Sequence, residues 1–592
     1  MKKNLVISEI SNKFYSHDNL NIFNVFDLLN SNNFKEINNE YKRLFKLENT
    51  SDLLKADQYV NKKNINYTSV LIERLNSLLC CNYSSNFWDR LFSQGIIRQV
   101  TILHQIFNAF ENSFDPEKYN FKILSLKYFK YFDNFEDQRN FLNSALGHEQ
   151  MFSIYVRCFY PEYVNKEFTI KNNFKTKFKS LNIKYEIKKL ILSIRSRLLR
   201  WKNSPYTSKI LLLGCHFSKK NLNYLLSNSK NNISTISNLR NNKPYEVNFT
   251  KRLTLSNFPN NSDPFDKFFY YSLIYWFPKH LLEGFHDNKN YHLNILNQYP
   301  NLKVIISEAW LSHTNINFFR AIAFEYKHIP TYYNEHNCIF HTFEGSYFDF
   351  IKNNIDKYLT FGWNSKDPKV VPTSSLFTFK KKSKSSNISY DIMYVSYPVE
   401  LYISHYHTAW ANCGYAGIAN LNFVHSFFGL INPNLKQKIT YRGYPIDCMK
   451  SFHKFNKESI LQESLEGVSF TPSFIFKGLN CREQMSLSRI VVIDFLSTSY
   501  LEALHMNIPT ICFWDSKFMT LKSEYKNYFD DLIEAKILHT TPESAANHLN
   551  EIYDSPNKWW NSYIVQNLKN RWLSLNFGNE NILLNYLIDL YN

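Results

Sequence analysis

Ser497-Thr498-Ser499 is a run of three hydroxyls, and Glu502 follows three residues behind it. Hydroxyls at the start of a helix suit an anion, because they add to free N–H groups and to the positive end of the helix dipole. Phosphate is the anion such a turn holds best. The spacing from Ser499 to Glu502 also fits a capping box, which satisfies the helix end without any ligand. The two readings are compatible if Ser499 caps, Ser497 and Thr498 face a cleft, and Glu502 turns to a ribose or sugar hydroxyl. Arg442, in Thr440-Tyr441-Arg442-Gly443-Tyr444-Pro445, is a second anion-binding candidate. Its planar fork makes paired, charge-assisted hydrogen bonds to phosphate, although an arginine here can also simply close a surface turn. Glu335-His336 offers different chemistry: a carboxylate that can take a proton from a hydroxyl, and an imidazole that titrates near neutral pH. A lone histidine is more often structural. What lifts this one is its position just past an apolar run, a position that Glu308 and His216 share with weaker support.

These residues need elements to position them, and each follows a short apolar run. Val491-Val492-Ile493 precedes the hydroxyls, and a helical pattern from Tyr500 to Met506 leads to Thr510-Ile511-Cys512-Phe513-Trp514. Strand, turn, helix and strand make one βαβ unit of a parallel sheet, whose ligands gather beyond the carboxyl ends of the strands. Further strands are expected at 209–214, 304–306, 331–333 and 358–360, then at 392–396, 439–441 and 467–470. The fold class expected is α/β: two Rossmann-like domains facing a cleft, preceded by a mainly helical N-terminal region. The boundaries are 1–203 for the helical region, 204–363 for the first Rossmann-like domain, and 364–389 for a Pro- and Ser-rich linker. The second Rossmann-like domain is 390–541, and 542–592 is a helical tail that can close back across the domains. In the N-terminal region, NYSSNFWDRLFSQG lies between two helical patterns and reads as a packing junction.

Length and composition bound what the chain can be. It has 592 residues, 44% of them hydrophobic, so a large core is available. A net charge of +18 admits nucleic acid, an anionic membrane surface or a phosphate-bearing substrate as partner, and also plain codon bias toward lysine. A nucleic-acid-binding protein would show steeply salt-dependent binding; with the charge spread out and no recognition module, no nucleic acid is expected as partner. Lys166 to Lys202 holds twelve Lys or Arg against two Glu. Its helical periodicity over 183–201 fits a basic helix lying on an anionic membrane, or a connecting helix with a solvated face. Nine cysteines carry no zinc or disulfide spacing, which fits reduced thiols in the cytosol. There is no secretory leader and no run of 18 apolar residues, so a soluble or peripheral protein is expected. No acidic pair after a strand marks a metal-dependent transferase, and no Walker A, GxGxxG or GxSxG element is present. No metal and no cofactor are therefore expected.

The block SLSRIVVIDFLSTSYLEALHMNIPTICFWD resembles the signature of a family of transferases from bacterial O-antigen and surface-polysaccharide gene clusters. The matching positions are Ser488-Arg489, Asp494, Ser497-Thr498, Leu501-Glu502, Leu504, Asn507, Pro509-Thr510 and Phe513-Trp514. Three further stretches are similar in order and spacing: LNSLLCCNYSSNFWDRLFSQGI, DKYLTFGW at 356–363, and TYRGYP at 440–445. The resemblance implies a GT-B-like glycosyltransferase, distantly similar to capsule transferases that use CMP-linked Kdo. It implies that Arg442, Ser497, Thr498 and Glu502 hold the nucleotide-sugar donor; Ser499 joins them as the third hydroxyl of the run. His336 falls where relatives have a glycine-rich QHGG segment; here the glycines are absent, which puts a close backbone approach to substrate in question. Glu335 and His336 would activate the acceptor, a glycan or lipid-linked glycan, at the cytoplasmic face of the membrane. The same architecture also serves polyol-phosphate transferases and sugar-nucleotide epimerases.

Overall fold

A computed structural model gives the fold. It describes residues 3–7, 19–21, 39, 42–47, 50–142, 144–168, 205–215, 219–236, 239–258, 263–308, 313–335, 340–344, 351–374, 388–397, 399, 414–443, 457, 461, 463–470, 479–518, 520–576 and 582–591. The basic stretch at 183–201, His216 and His336 lie outside the described residues.

Two six-stranded sheets, parallel throughout, organise the chain. The first contains β1 (Ile210–Leu213), β2 (Ile233–Thr235), β3 (Val304–Ser307), β4 (Thr331–Asn334), β5 (Lys357–Thr360) and β6 (Val370–Pro372). Their spatial order is β6-β5-β4-β3-β1-β2. The second contains β7 (Tyr390–Val395), β8 (Ile439–Arg442), β9 (Ser469–Phe470), β10 (Ser488–Ile493), β11 (Thr510–Phe513) and β12 (Leu538–His539), in the order β9-β8-β7-β10-β11-β12. That second order is the doubly wound arrangement of dinucleotide-binding folds, with its reversal between β7 and β10. The first sheet extends to β6, inside the stretch that composition marks as linker.

Burial on both faces explains the near-continuous apolar runs of these strands. In β1, Leu211 and Leu213 join the core shared with the N-terminal helices, while Ile210 and Leu212 face the other way. The opposite face is covered by the last helix, Ile582–Tyr591, whose Leu583 and Leu587 pack on Ile210, Leu212, Val304 and Ile306. The tail thus returns to the first lobe. In the second sheet, alternation sends Tyr394 and Val492 to one core and Met393 and Val491 to the other.

The N-terminal region is mainly helical. Its long elements are α1 (Thr50–Leu78), α2 (Gln94–Glu111) and α3 (Ala145–Phe159), with a small three-stranded sheet beside them. Trp88 ties it to the first lobe, its ring stacked 5.2 Å from that of Phe285.

The lobes meet through loops that leave the carboxyl ends of their strands. Phe343, downstream of β4, forms an antiparallel bridge with Leu521, downstream of β11. Glu344 N–H donates to the Thr520 carbonyl at 2.8 Å, and Lys522 N–H to the Thr342 carbonyl at 2.9 Å. The carboxyl ends of the two sheets therefore look toward each other, the facing-lobe arrangement of the GT-B class.

Candidate active site

At the reversal of the second sheet, β7 and β10 end in one hydrogen-bonded cluster. Asp494, the residue after β10, accepts from Tyr394 Oη and Ser396 Oγ at 3.1 Å each and from Tyr397 N–H at 2.8 Å. Lys457 Nζ lies 2.6 Å from its carboxylate, and both side chains are wholly buried. Lys457 also donates to Asn420 Oδ1 at 3.0 Å and to the Tyr397 carbonyl at 3.2 Å. Asn420 returns a bond to the Asp494 carbonyl at 2.9 Å. A buried ion pair is stable only when its remaining protons and lone pairs are satisfied, as they are here. The cluster fixes the start of the turn that runs from Phe495 to Ser497.

In the first lobe α4 is Pro264–Trp276; in the second, α5 is Cys481–Ser486 and α6 is Thr498–His505, and the turn ends at the head of α6. Ser497 is the N-cap of α6, in extended conformation (φ −117°, ψ 174°), and its side chain makes no capping hydrogen bond. The capping box anticipated between Ser499 and Glu502 is absent. The helix starts at Thr498, two residues earlier than that box requires, so Ser499 already lies within the first turn. Ser497 is buried, whereas Thr498 and Ser499 are partly exposed. Burial pushes the Glu502 carboxyl above its ordinary range, and the nearby Arg482 charge opposes that rise.

Arg442 ends β8 and is 3% exposed. Its guanidinium donates to the Leu479 carbonyl at 3.2 Å and to Gln484 Oε1. Both acceptors are neutral, and among the described residues no carboxylate forms an ion pair with it. The Cys481 thiol sits between Arg442 and the hydroxyl turn, with Sγ 3.9 Å from Ser499 Oγ. Burial raises that thiol to about 11, and the Arg442 charge draws it back. The fold thus brings Arg442, Ser499 and Glu502 around Cys481, with Ser497 and Thr498 at the head of α6. A sequence separation of 37 from Lys457 to Asp494, and a lysine-rich background, hid Lys457 from sequence reasoning. Asp494 belonged to the recognised motif but carried no assigned role.

The first lobe presents a contrasting cluster. Glu335, just past β4, is 1% exposed. Its carboxyl accepts from Trp363 Nε1 at 2.9 and 3.1 Å, from Phe361 N–H at 3.0 Å and from Tyr358 Oη at 3.5 Å. Burial raises its pKa to about 8, while those donors pull the other way. His341 stacks on Trp363 at 4.4 Å and meets Tyr525 of the second lobe edge-on at 5.1 Å. Glu335 therefore bolts the ends of β4 and β5 together beside the lobe contact. Glu308 follows β3 and is also buried, near Cys215 at the end of β1.

Among the described residues no group of three or more His, Cys, Asp or Glu could hold a metal ion, and no helix is long and apolar enough to cross a membrane.

Two doubly wound lobes in contact give the architecture, and the family comparison gives the class, a transferase. The model of the LIC12162 family transferases matches residues 24–586, and the chain belongs to that family. No curated protein matches the sequence. Among solved structures, Anabaena HepE in complex with UDP and glucose aligns at 12% identity, TM-score 0.34, covering 64% of this chain and 98% of its own. A mutant of the Thermobaculum terrenum O-GlcNAc transferase aligns at 10% identity, TM-score 0.32, covering 96% of this chain and 98% of its own. Likeness at that level carries no argument about the reaction.

Proposed function

We propose that this transferase moves a sugar from a nucleotide-activated donor to a growing surface polysaccharide or O-antigen, with the donor on the second lobe. The observation that carries the reading is Arg442: a guanidinium 3% exposed whose acceptors among the described residues, the Leu479 carbonyl and Gln484 Oε1, are both neutral. A buried unpaired charge is costly, and a phosphate would complete it. The N–H groups at the head of α6 and the Ser497, Thr498 and Ser499 hydroxyls add donors toward the same anion. Negative charge grows on the leaving phosphate during transfer, so donors fixed there accelerate the reaction.

Acceptor activation falls to the end of β4. Trp363 and Phe361 wall in Glu335, and burial raises its carboxyl to about 8, so we assign it the positioning task and His336 the proton-accepting one. Closure of the lobes excludes water and aligns donor with acceptor. The acceptor is a glycan or lipid-linked glycan. The enzyme works in the cytoplasm at the inner membrane face, held there by the basic stretch at 183–201. The resemblance in the 488–515 block favours a CMP-linked donor. No metal takes part in this scheme.

The test is a donor screen with CMP-, UDP-, GDP- and CDP-linked sugars, following hydrolysis or transfer. One donor should turn over, and Arg442→Ala should lower its rate by about 10²–10³-fold, the loss typical of one transition-state hydrogen-bond donor. Turnover of none of the four, or an unaltered rate in Arg442→Ala, refutes the assignment.

A further inference from the structure

The segment that sequence marked as a packing junction does more than pack. Ser84 caps a short helix (Ser85–Trp88), which runs directly into a π-helical turn, Asp89–Ser93, and then into α2. Such turns insert one extra residue into a helix and concentrate at functional sites. This one has a visible cause. Arg90 is drawn off to the Asp356 carboxylate at 2.9 and 3.1 Å, with its guanidinium 4.0 Å from the centre of the Phe324 ring. Asp89 and Ser93 are left on the other side, facing α1.

A cavity of about 560 Å³ lies there, between α1, the π-turn, the start of α2 and the loop at Asn353-Asn354. That is the size of a small-molecule site. Two polar atoms within its lining are shielded from solvent and make no hydrogen bond to any described residue: Asn64 Oδ1 and Thr68 Oγ1. Thr68 is 8% exposed. Ser93 Oγ lies 2.7 Å from the Asp89 carbonyl and 3.1 Å from Asn354 Oδ1, which leaves the Asp89 carboxyl without a hydrogen bond to any described residue. Burial also lifts that carboxyl above its ordinary pKa.

The chemistry of the lining selects a ligand class. Asp89 is its single ionisable residue, and neither lysine nor arginine contributes. A phosphate or nucleotide would meet a carboxylate and no counter-charge. Amides and hydroxyls both donate and accept, as sugar hydroxyls do, and Ile65, Ile72 and Ile97 supply an apolar wall for the C–H face of a ring. We propose that this cavity is a second binding site, for a neutral saccharide of one or two rings. The site stands apart from the inter-lobe cleft. Asn354 precedes β5, so the cavity adjoins the amino ends of the first sheet, whereas the cleft adjoins the carboxyl ends. The four-residue length of β5 alone separates the two by roughly 13 Å. A glycan chain held here is held by the transferase without occupying its reaction centre.

Ligand-observed saturation-transfer NMR on the full chain tests this, with glucose, galactose, N-acetylglucosamine and maltose as neutral probes and UMP as the anionic one. At least one neutral probe should bind saturably and resist displacement by UMP. Ser69→Trp, at an exposed position on the rim, should plug the cavity, and Thr68→Val should remove one hydroxyl that supports no bond in the fold. Both should weaken saccharide binding by about tenfold or more while thermal unfolding and UMP binding stay as in wild type. Arg442→Ala should leave saccharide binding intact, which separates this site from the donor assignment. The inference is overturned if none of the four saccharides binds saturably, if UMP displaces them, or if binding survives undiminished in both cavity variants.

Discussion

The two lobes end their strands in opposite ways. In the second, charge is gathered: a closed Lys457–Asp494 pair braces the turn, and Arg442 stands beside it with neutral acceptors only among the described residues. In the first, charge is suppressed: Glu335 is sealed among Trp363, Phe361 and Tyr358 with its pKa raised to about 8. The same architecture thus offers a strand end rich in charged groups and one with a single sealed carboxyl. The contrast teaches that burial and pairing at the strand ends set the chemistry each lobe presents, since the sheets themselves are built alike.

The largest effect expected from disturbing this contrast is on the brace. Lys457→Met leaves the Asp494 carboxylate buried and uncompensated, and should cost about 3–5 kcal/mol in urea unfolding. Adding Asp494→Asn to that variant should restore part of the loss, because the stranded charge goes with it. If Lys457→Met unfolds like wild type, the pair is not the brace described here.

Next comes the pH response of the neutral end. Glu335 ionises at about 8 when folded against an ordinary value of 4.5. The unfolded chain therefore releases this proton first as pH rises, and the contribution of Glu335 to stability falls between 4.5 and about 8. Glu335→Gln should flatten the unfolding free energy across that window relative to wild type. An unchanged slope would mean that another group sets it.

The smallest effects compare two helix starts. Thr541 Oγ accepts from Ser544 N–H at 3.2 Å and caps its helix, so Thr541→Ala should cost about 1 kcal/mol. Ser497 makes no capping bond, so Ser497→Ala should shift stability by less than about 0.5 kcal/mol while weakening nucleotide binding. Equal stability losses in the two variants would show that Ser497 serves as an ordinary cap.

Much of the architecture was legible because parallel strands buried on both faces are written as apolar runs. The segments at 304–306, 331–333, 392–396 and 491–493 became β3, β4, β7 and β10 with shifts of a residue or two, three at the start of β10. The strands that escaped were β2, β6 and β12, of three residues or two, set among polar residues or prolines that look like loop. At the site, strand-end position pointed to Arg442, the hydroxyl turn and Glu335. Pairing did not show. Lys457 reaches Asp494 only through tertiary structure, and Trp363 reaches Glu335 across two strands. The capping-box reading failed for a local reason. Three consecutive hydroxyls can each serve as N-cap, and packing of Tyr500 and Leu501 in the core fixed the start at Ser497.

Whether Arg442 awaits the phosphate of a nucleotide donor is tested most directly by calorimetric titration of CMP, UDP, GDP and CDP into wild type, Arg442→Lys and Arg442→Ala. At least one nucleotide should bind wild type. Affinity should fall in Arg442→Lys, which keeps the charge but loses the fork, and fall further, by at least about tenfold, in Arg442→Ala. Equal affinity in all three proteins, or binding by none of them, would contradict the account.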